Sequence, residues 1–191
     1  MFRLLGFLDD DRTKHGTISH DFPVLGGLDW IQSRPGTVST VVALGNPGPK
    51  RRVVEQLCPY SVGFPSIIHP DAVIGRYVDI REGAIVCPGV ILTTDIRIGR
   101  FVTLNFGLSV GHDATLDDYP TLMPGVRISG YVKVREGANV GAGAIAIPEV
   151  EIGAWSIIGA GAVIADSLPA NCTAVGVPAR PIKTHVPGWH L

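Results

Sequence analysis

The sequence lacks long apolar runs and an excess of charge of either sign, and each shortage excludes a class of protein. Its longest apolar stretches are four or five residues, far below the roughly 20 that a transmembrane helix requires. The 16 basic and 17 acidic residues leave a formal net charge of -1. No basic surface for nucleic acid or for an anionic membrane is therefore indicated.

Cysteine is also scarce. Cys58, Cys87 and Cys172 lie far apart, without the paired spacing of a zinc site or a disulfide framework. Reduced cysteines in a cytoplasmic protein are therefore expected. The apolar start at residues 1–8 runs at once into three consecutive aspartates from Asp9, which argues against a secretory signal.

Glycine and proline, in contrast, are abundant. The chain has 24 glycines and 15 prolines, yet 46% of its residues are hydrophobic. This combination favours many turns around a well-filled core and argues against disorder.

A six-residue repeat dominates the central part of the chain. From Ile68 in steps of six, sixteen of seventeen positions carry Ile, Leu or Val, and no insertion breaks the register. The positions are Ile68, Ile74, Ile80, Val86, Leu92, Ile98, Leu104, Val110, Leu116, Leu122, Ile128, Val134, Val140, Ala146, Ile152, Ile158 and Ile164. A smaller apolar residue stands two positions before most of them, as at Ala72 and Ala84. Alternate residues of a strand face the same side, so both sets point to one interior.

Each repeat supplies one short strand and one corner. Glycine often follows the large residue directly, as at Gly75 and Gly111, and Asn105 and Asp117 share that position. These residue types tolerate positive φ, so a left-handed backbone is expected there. Three strands close a triangular coil of eighteen residues, and successive coils stack about 4.8 Å apart.

The period predicts a parallel β-helix. A six-residue period drifts around the surface of an α-helix, and a β-sandwich needs strands at spacings of roughly 8–12 residues with variable turns. The handedness of the coil does not follow from the period, because strand crossovers are in general right-handed.

The segments that flank the repeat do not follow its period. Residues 3–8 and Thr37–Leu44 are predicted as strands, and a helical pattern follows at Lys50–Leu57. Strand, glycine-containing turn and helix indicate a small α/β module with a parallel sheet. The repeat stops at Leu168, and residues 170–191 are expected to form an irregular tail.

Several segments resemble one group of hexapeptide-repeat acyltransferases, the sialic acid O-acetyltransferase and bacterial nucleotide-sugar N-acetyltransferase family. Besides the repeat itself and Asn105, the matching segments are Gly6-Phe7-Leu8-Asp9-Asp10, Pro23-Val24-Leu25-Gly26-Gly27, Ile68-His69-Pro70-Asp71-Ala72, Val110-Gly111-His112-Asp113 and Gly176-Val177-Pro178-Ala179-Arg180. The resemblance covers almost the whole chain. Members usually begin with a strand and a Gly-rich turn that touch the nucleotide, and this sequence starts after that element.

The resemblance implies a mainly β fold, a left-handed parallel β-helix preceded by a small, truncated Rossmann-like α/β domain. The expected organisation is an acceptor-binding domain at 1–60, the acyltransferase β-helix at 61–168 and a C-terminal tail at 169–191. Acetyl-CoA would be the cosubstrate and no metal would be required. The enzyme would be a homotrimer with active sites between subunits, and it would acetylate an amino group or a hydroxyl of a sugar, most simply a nucleotide-linked amino sugar.

His112 is the candidate general base. It follows the corner residue Gly111, so its side chain should leave the coil at an edge, and an imidazole that titrates near neutrality suits proton transfer. A solvated corner histidine is the alternative. Asp113 could orient the ring and raise its basicity, or could simply favour the turn.

Gly130 lies one coil beyond His112 in the eighteen-residue register. A glycine lets a ligand approach the backbone, and its amide could bind the thioester oxygen as charge develops, although it could also merely relieve a corner. By resemblance, the pantetheine arm would pass the stacked Ala142 and Ala160. Arg180 would meet a phosphate or the adenine of coenzyme A.

The acceptor side is predicted from the resemblance alone. Asp9, Asp10 and Gly45 match the sugar-nucleotide pocket of the family, and Asn105 belongs to the same motif region. A second histidine, common in the family nine positions after the catalytic one, is replaced by Thr121. This position is kept as a candidate acceptor contact.

Two other functions are compatible with the same fold. A γ-class carbonic anhydrase needs three histidines around zinc, and only His69 and His112 fall within the repeat array. A non-catalytic scaffold or binding protein is the stronger rival, because a fold does not determine a function. The sequence does not identify the acceptor sugar or distinguish nitrogen from oxygen acylation.

Overall fold

The computed structural model describes residues 3–34 and 36–190, which form two compact units. The first contains the residues up to Thr40 together with Val53–Gly63, and the second contains Val41–Arg52 and the chain from Phe64 onward.

The first unit is built on a small three-stranded sheet. Its strands are β1 (Phe7–Leu8), β2 (Ile18–Ser19) and β3 (Phe22–Gly26), in the order β1-β3-β2. Strand β1 pairs in parallel with β3, and β2 forms an antiparallel hairpin with it. A short helix α1 (Asp29–Gln32) follows, and 3-10 turns occupy Arg12–Lys14 and Cys58–Tyr60.

The predicted strand at Thr37–Leu44 does not form. Within it only Ser39 makes a β-bridge, a parallel one to Gly63. Its β-branched residues favour extended structure, but a strand also needs a partner along its length, and the bridge is isolated. The predicted strand at residues 3–8 is likewise reduced to β1.

Helix α2 (Pro47–Leu57) contains the predicted helical segment and begins three residues earlier. The Asn46 side-chain oxygen accepts a hydrogen bond from the Gly48 amide at 3.1 Å, and the Asn46 carbonyl accepts one from the Lys50 amide. Prolines in the first turn are tolerated because their missing amides have no partner within the helix. Asn46 therefore caps the helix before the pattern of apolar residues starts.

The second unit is dominated by seventeen two-residue strands, which form three parallel sheets. Sheet 1 contains β4 (Ile67–Ile68), β7 (Ile85–Val86), β10 (Thr103–Leu104), β13 (Thr121–Leu122), β16 (Asn139–Val140) and β19 (Ile157–Ile158). Sheet 2 contains β5 (Val73–Ile74), β8 (Ile91–Leu92), β11 (Ser109–Val110), β14 (Arg127–Ile128), β17 (Ile145–Ala146) and β20 (Val163–Ile164). Sheet 3 contains β6 (Asp79–Ile80), β9 (Arg97–Ile98), β12 (Thr115–Leu116), β15 (Lys133–Val134) and β18 (Glu151–Ile152).

Each strand pairs with the one eighteen residues later, as Ser109 does with Arg127. This is the predicted coil. The second residue of each strand and the smaller residue two positions before it fill the interior, so that Val90, Leu92 and Leu104 have no exposed surface. The first coil is less covered, and its Ile74 is 38% exposed, whereas Ile164 of the last coil has no exposed surface.

The corners form three edges, and their left-handed residues lie two positions later than predicted. The first edge joins sheets 1 and 2, the second joins sheets 2 and 3, and the third joins sheets 3 and 1. On the second edge Asp113 has φ +58° and Tyr131 has φ +61°, whereas Gly111 is not in the left-handed region. Gly111 is required for a different reason: a Cβ there would lie 2.7 Å from the Gly130 nitrogen of the next coil.

The C-terminal segment, residues 170–191, is predicted to be irregular, and this prediction is wrong. Strand β21 (Cys172–Val175) stacks in parallel on β19 and continues sheet 1, and β22 (Arg180–Thr184) pairs antiparallel with it. The six-residue period stops at Leu168, but the last strand of sheet 1, β19, still has unpaired backbone groups along one edge, and β21 pairs with them.

In residues 3–34 and 36–190 no helix has the length and apolar character needed to cross a membrane.

Candidate active site

His112 and Asp113 form a side-chain pair at the second edge. Nδ1 of His112 lies 2.8 Å from Oδ2 of Asp113, and the two side chains are 53% and 42% exposed. Because a carboxylate only accepts hydrogen bonds, Nδ1 carries the proton in the neutral ring and Nε2 has the free lone pair. The pair therefore holds the tautomer that a general base needs.

Gly130 lies directly against the other side of this ring. A Cβ at Gly130 would be 2.7 Å from Nε2 of His112 and 2.8 Å from Cε1, so no side chain fits there. Among the backbone hydrogen bonds of the described residues, none has the Gly130 amide as its donor. An unused N–H group beside Nε2 is the arrangement that an oxyanion would require.

Tyr131, which sequence reasoning did not single out, completes the surroundings of His112. The two rings meet edge to face, with centroids 5.2 Å apart, and the Tyr131 amide donates to the His112 carbonyl at 2.9 Å. Tyr131 and Asp113 also line a groove of about 420 Å³ on the outer face of sheet 3. The register could have indicated Tyr131, since it lies eighteen residues after Asp113.

The predicted coenzyme A contacts are divided between two edges. Ala142 and Ala160 are stacked, as the Gly161 amide donates to the Ala142 carbonyl at 2.8 Å, but they lie on the first edge and not beside His112. Arg180 pairs with Asp166 at 2.8 Å. Asp166 stands on the second edge three coils beyond His112, a distance of about 14 Å.

The predicted acceptor residues do not form one cluster within the second unit. Asn105 lies on the first edge, where its amide nitrogen donates to the Leu122 carbonyl at 3.3 Å. Gly45 is exposed in the turn before α2. Thr121 faces outward on sheet 1 but is fully buried, and its hydroxyl contacts the Lys50 ammonium at 3.0 Å.

Asp9 and Asp10 belong to the first unit. Asp9 accepts hydrogen bonds from the Lys14 ammonium at 2.7 Å and from the Asp11 amide at 2.9 Å. The bond from Lys14, followed by the one from the Asp11 amide, lowers the pKa of Asp9. Asp10 is exposed.

Lys50 is the second residue that the sequence did not reveal. Its side chain is 1% exposed, and its ammonium donates to the hydroxyls of Thr103 and Thr121 and to the carbonyls of Phe101 and Tyr119. Desolvation lowers the pKa of Lys50 to about 7. These contacts fasten the first turn of α2 to sheet 1, next to the turn that contains Gly45.

Within residues 3–34 and 36–190 no three His, Cys, Asp or Glu side chains come together in a way that could hold a metal ion.

Comparison with known proteins identifies the family, although no protein-family model matches the sequence. GDP-perosamine N-acetyltransferase of Escherichia coli O157:H7 is 39% identical over 151 residues, which cover 74% of this chain and 66% of the relative. WeeI from Acinetobacter baumannii AYE is 34% identical, with a TM-score of 0.86 over 93% of this chain and 85% of that chain. PerB from Caulobacter crescentus, solved with CoA and GDP-perosamine, is 33% identical, with a TM-score of 0.83 over 86% and 80% of the two chains.

The chain belongs to the hexapeptide-repeat nucleotide-sugar N-acetyltransferase family. It spans slightly less than two thirds of the length of the Escherichia coli relative and most of the length of WeeI. The predicted left-handed parallel β-helix is confirmed by these structures, and the family places the chain among the acetyltransferases, as the resemblance implied. The roles assigned to individual residues of this family member stay predictions.

Proposed function

We propose that this protein transfers the acetyl group of acetyl-CoA to the amino group of a nucleotide-linked sugar, with a GDP-linked amino sugar as the first acceptor to test. The observation that carries the proposal is the His112–Asp113 pair, whose Nε2 is free and lies against Gly130. The relatives act on or bind GDP-perosamine and CoA, which gives the class of both substrates.

The reaction needs no covalent intermediate. Nε2 of His112 takes a proton from the acceptor amine, whose nitrogen attacks the thioester carbonyl carbon and forms the new C–N bond. The negative charge on the carbonyl oxygen is stabilised by the Gly130 amide. When the tetrahedral species collapses, the C–S bond breaks and the protonated His112 returns the proton to the thiolate of coenzyme A.

The surfaces around Ala142 and Ala160 fit the pantetheine arm. Both alanines are exposed, and a Cβ at the neighbouring Gly143 or Gly161 would meet nothing within 4 Å. The first edge therefore presents a smooth wall of small residues, along which a narrow chain can lie. Arg180 is exposed beyond it and is the predicted partner of a phosphate or the adenine of coenzyme A.

A homotrimer would bring the two edges together. Sheet 2, which lies between them, has a mainly apolar outer face. Val73, Ile91 and Ile145 are 60%, 45% and 41% exposed, and the polar outward residues are Ser109 and Arg127. The outward residues of sheet 3 are all polar or charged. An exposed apolar face marks an interaction surface, and three chains that turn sheet 2 towards a common axis place the second edge of each beside the first edge of the next.

Intersubunit complementation tests this arrangement. His112→Gln disables the second edge and Ala160→Trp blocks the first, so each variant alone should be inactive. Every mixed trimer contains one junction with both edges intact. After random mixing about three quarters of the trimers are mixed, so about a quarter of all sites, and of the wild-type activity, should be restored. No recovery in trimers shown by light scattering to be mixed would contradict a shared site.

Catalysis by His112 is tested with GDP-perosamine and acetyl-CoA, by thiol release. His112→Gln should lower kcat by about 10²–10⁴-fold. His69→Gln is the matched control, because His69 is also a corner histidine beside a carboxylate, that of Asp71 at 3.8 Å, and should retain wild-type turnover. Full turnover by the His112→Gln protein would refute the proposed base, and a wild type that binds acetyl-CoA without turnover would favour a scaffold.

The cellular location is part of the same proposal. Acetyl-CoA as the donor favours the cytoplasm, and Cys58, Cys87 and Cys172 are all free thiols, which suits a reducing compartment.

A further inference from the structure

The groove on the outer face of sheet 3 begins at the proposed base and extends away from it. Its lining includes Asp113, which holds the His112 ring, and Tyr131, which touches that ring. The other lining residues are Tyr77, Asp79, Asp95, Ile96, Arg97 and Thr115. The volume of about 420 Å³ lies within the range of small-molecule sites.

Most of the groove lies on the opposite side of His112, along the coil axis, from the predicted donor residues, and Tyr131, directly after Gly130, stands where the two meet. Tyr77 and Asp95 belong to the two coils before Asp113 on the second edge, at intervals of eighteen residues. Gly130 and Asp166 belong to coils after His112 on the same edge. A donor that runs from Gly130 towards Arg180 therefore leaves most of the groove free, and a second substrate in the groove approaches His112 from the other direction.

The lining is chemically suited to a cationic, hydroxyl-bearing ligand. Three carboxylates face one guanidinium, that of Arg97, and two exposed tyrosines stand at the two ends. The Asp113 carboxylate is already hydrogen-bonded to His112, and the Asp79 carboxylate lies 3.8 Å from the Arg81 side chain. Asp95 accepts only the Thr94 hydroxyl, through Oδ2 at 2.9 Å, so among the described residues its Oδ1 has no partner.

We propose that this groove binds the amino sugar of the acceptor in its ammonium form, with Asp95 and Tyr131 as specificity-determining residues. The inference rests on the proposed acetyltransferase function. The Asp95 carboxylate forms a charge-assisted hydrogen bond with the ammonium group or a sugar hydroxyl, and the Tyr131 ring offers its face to the cation.

This assignment favours amines over alcohols as acceptors. A carboxylate groove concentrates the ammonium form beside the His112–Asp113 pair. The ammonium releases one proton to solvent, and the neutral amine then attacks while His112 takes the second proton. A sugar with a hydroxyl in place of the amine gains no such attraction. The expected result is a lower KM for the amino sugar than for the matched hydroxyl sugar, with the difference reduced when Asp95 is neutralised.

The test uses the full chain with GDP-perosamine and acetyl-CoA, and measures thiol release and equilibrium binding of GDP-perosamine against GDP. Asp95→Asn should lower kcat/KM for the acceptor by about 10- to 100-fold, as expected for a lost charge-assisted hydrogen bond, with KM for acetyl-CoA unchanged. Asn also suits the left-handed backbone of this position, φ +56°. Asp21→Asn is the matched control, since Asp21 is an exposed carboxylate with φ +66° outside the groove.

Tyr131 is tested by a pair of variants. Tyr131→Asn removes the ring at a position with φ +61° and should raise KM for the acceptor several-fold, whereas Tyr131→Phe keeps the ring and should raise it less than Tyr131→Asn does. A purely structural role would change the binding of both substrates or the unfolding midpoint.

The outcomes separate the two proposals. Wild-type turnover with unchanged acceptor kinetics in Asp95→Asn and Tyr131→Asn overturns the groove assignment and leaves the acetyltransferase function intact. Acceptor binding without thiol release overturns the function, and the groove is then judged by whether Asp95→Asn weakens binding of GDP-perosamine relative to GDP. A wild type that binds no GDP-perosamine overturns both.

Discussion

Lys50 should make the stability of the protein depend on pH in an unusual direction. Desolvation lowers the pKa of Lys50 to about 7 from its ordinary value of 10.5, and within residues 3–34 and 36–190 none of its hydrogen-bond partners is a carboxylate. The carbonyls of Phe101 and Tyr119 favour the ammonium form. The two threonine hydroxyls can accept from an ammonium or donate to an amine, so the neutral form also has partners.

The direction of the change in stability with pH follows from the number of protons that Lys50 binds in the folded and in the unfolded chain. Below pH 7 Lys50 is charged in both the folded and the unfolded chain, and its contribution to stability does not change. Between pH 7 and pH 10.5 the unfolded chain binds a proton that the folded chain has released, so the free energy of unfolding rises with pH. The slope is about 1.4 kcal/mol per pH unit, and from pH 6 to pH 9 the gain is about 3 kcal/mol.

Lys50→Met removes the titration and keeps an unbranched side chain of similar length. Urea unfolding of both proteins at pH 6, 7, 8 and 9, at one protein concentration, gives the difference in free energy of unfolding at each pH. The contributions of the other titrating groups to the free energy of unfolding are the same in both proteins and cancel in this difference. It should grow by about 3 kcal/mol in favour of the wild type between pH 6 and pH 9. Lys133→Met, at an exposed lysine on sheet 3, is the matched control and should follow the wild-type profile.

A constant difference across this range would refute the reasoning. It would mean that the four oxygen partners hold the Lys50 proton throughout, and that hydrogen bonding outweighs desolvation. In that case Lys50→Met should simply be less stable at every pH, since the carbonyls of Phe101 and Tyr119 would lose their donor.

Three further predictions concern the site and the core. Gly130→Ala should lower kcat about 10²-fold, because its Cβ would displace the His112 ring and misplace the base. The unfolding midpoint should not change, and a fully active variant would contradict the contact between Gly130 and His112. Leu104→Ala should reduce the free energy of unfolding in urea by about 2–5 kcal/mol, since Leu104 is fully buried and leaves a cavity. Arg180→Ala should raise KM for acetyl-CoA about 3- to 10-fold with little change in kcat, and an unchanged KM would remove Arg180 from the donor site.

The core of the β-helix could be predicted residue by residue. Each inward position recurs every six residues, so a single correct register places Leu92, Leu104 and Ile152 in the interior at once, and all three are fully buried. The same register puts Gly130 next to His112. Local sequence suffices here because each coil repeats the environment of the one before it.

The parts that could not be predicted depend on contacts between distant segments. Lys50 lies in a polar stretch of α2 that suggests an exposed helix surface, yet its partners are 51 to 71 residues away in sequence. The left-handed corner residues were misplaced because Gly111 suggested positive φ, whereas its lack of a side chain serves the close approach of the next coil. The segment at Thr37–Leu44 has strand composition, but among the described residues it forms a single β-bridge, between Ser39 and Gly63.

The division of the site between two edges follows from the same eighteen-residue coil that predicts the core. Residues separated by multiples of eighteen share an edge, so His112, Gly130 and Asp166 lie on one edge, and Ala142 and Ala160 lie on another. One whole face, sheet 2, separates them in a single coil. If both sets of residues act in one reaction, a second chain must supply the missing edge. The mainly apolar outer face of sheet 2 provides the surface through which it can do so, and the catalytic unit is then the junction between two chains.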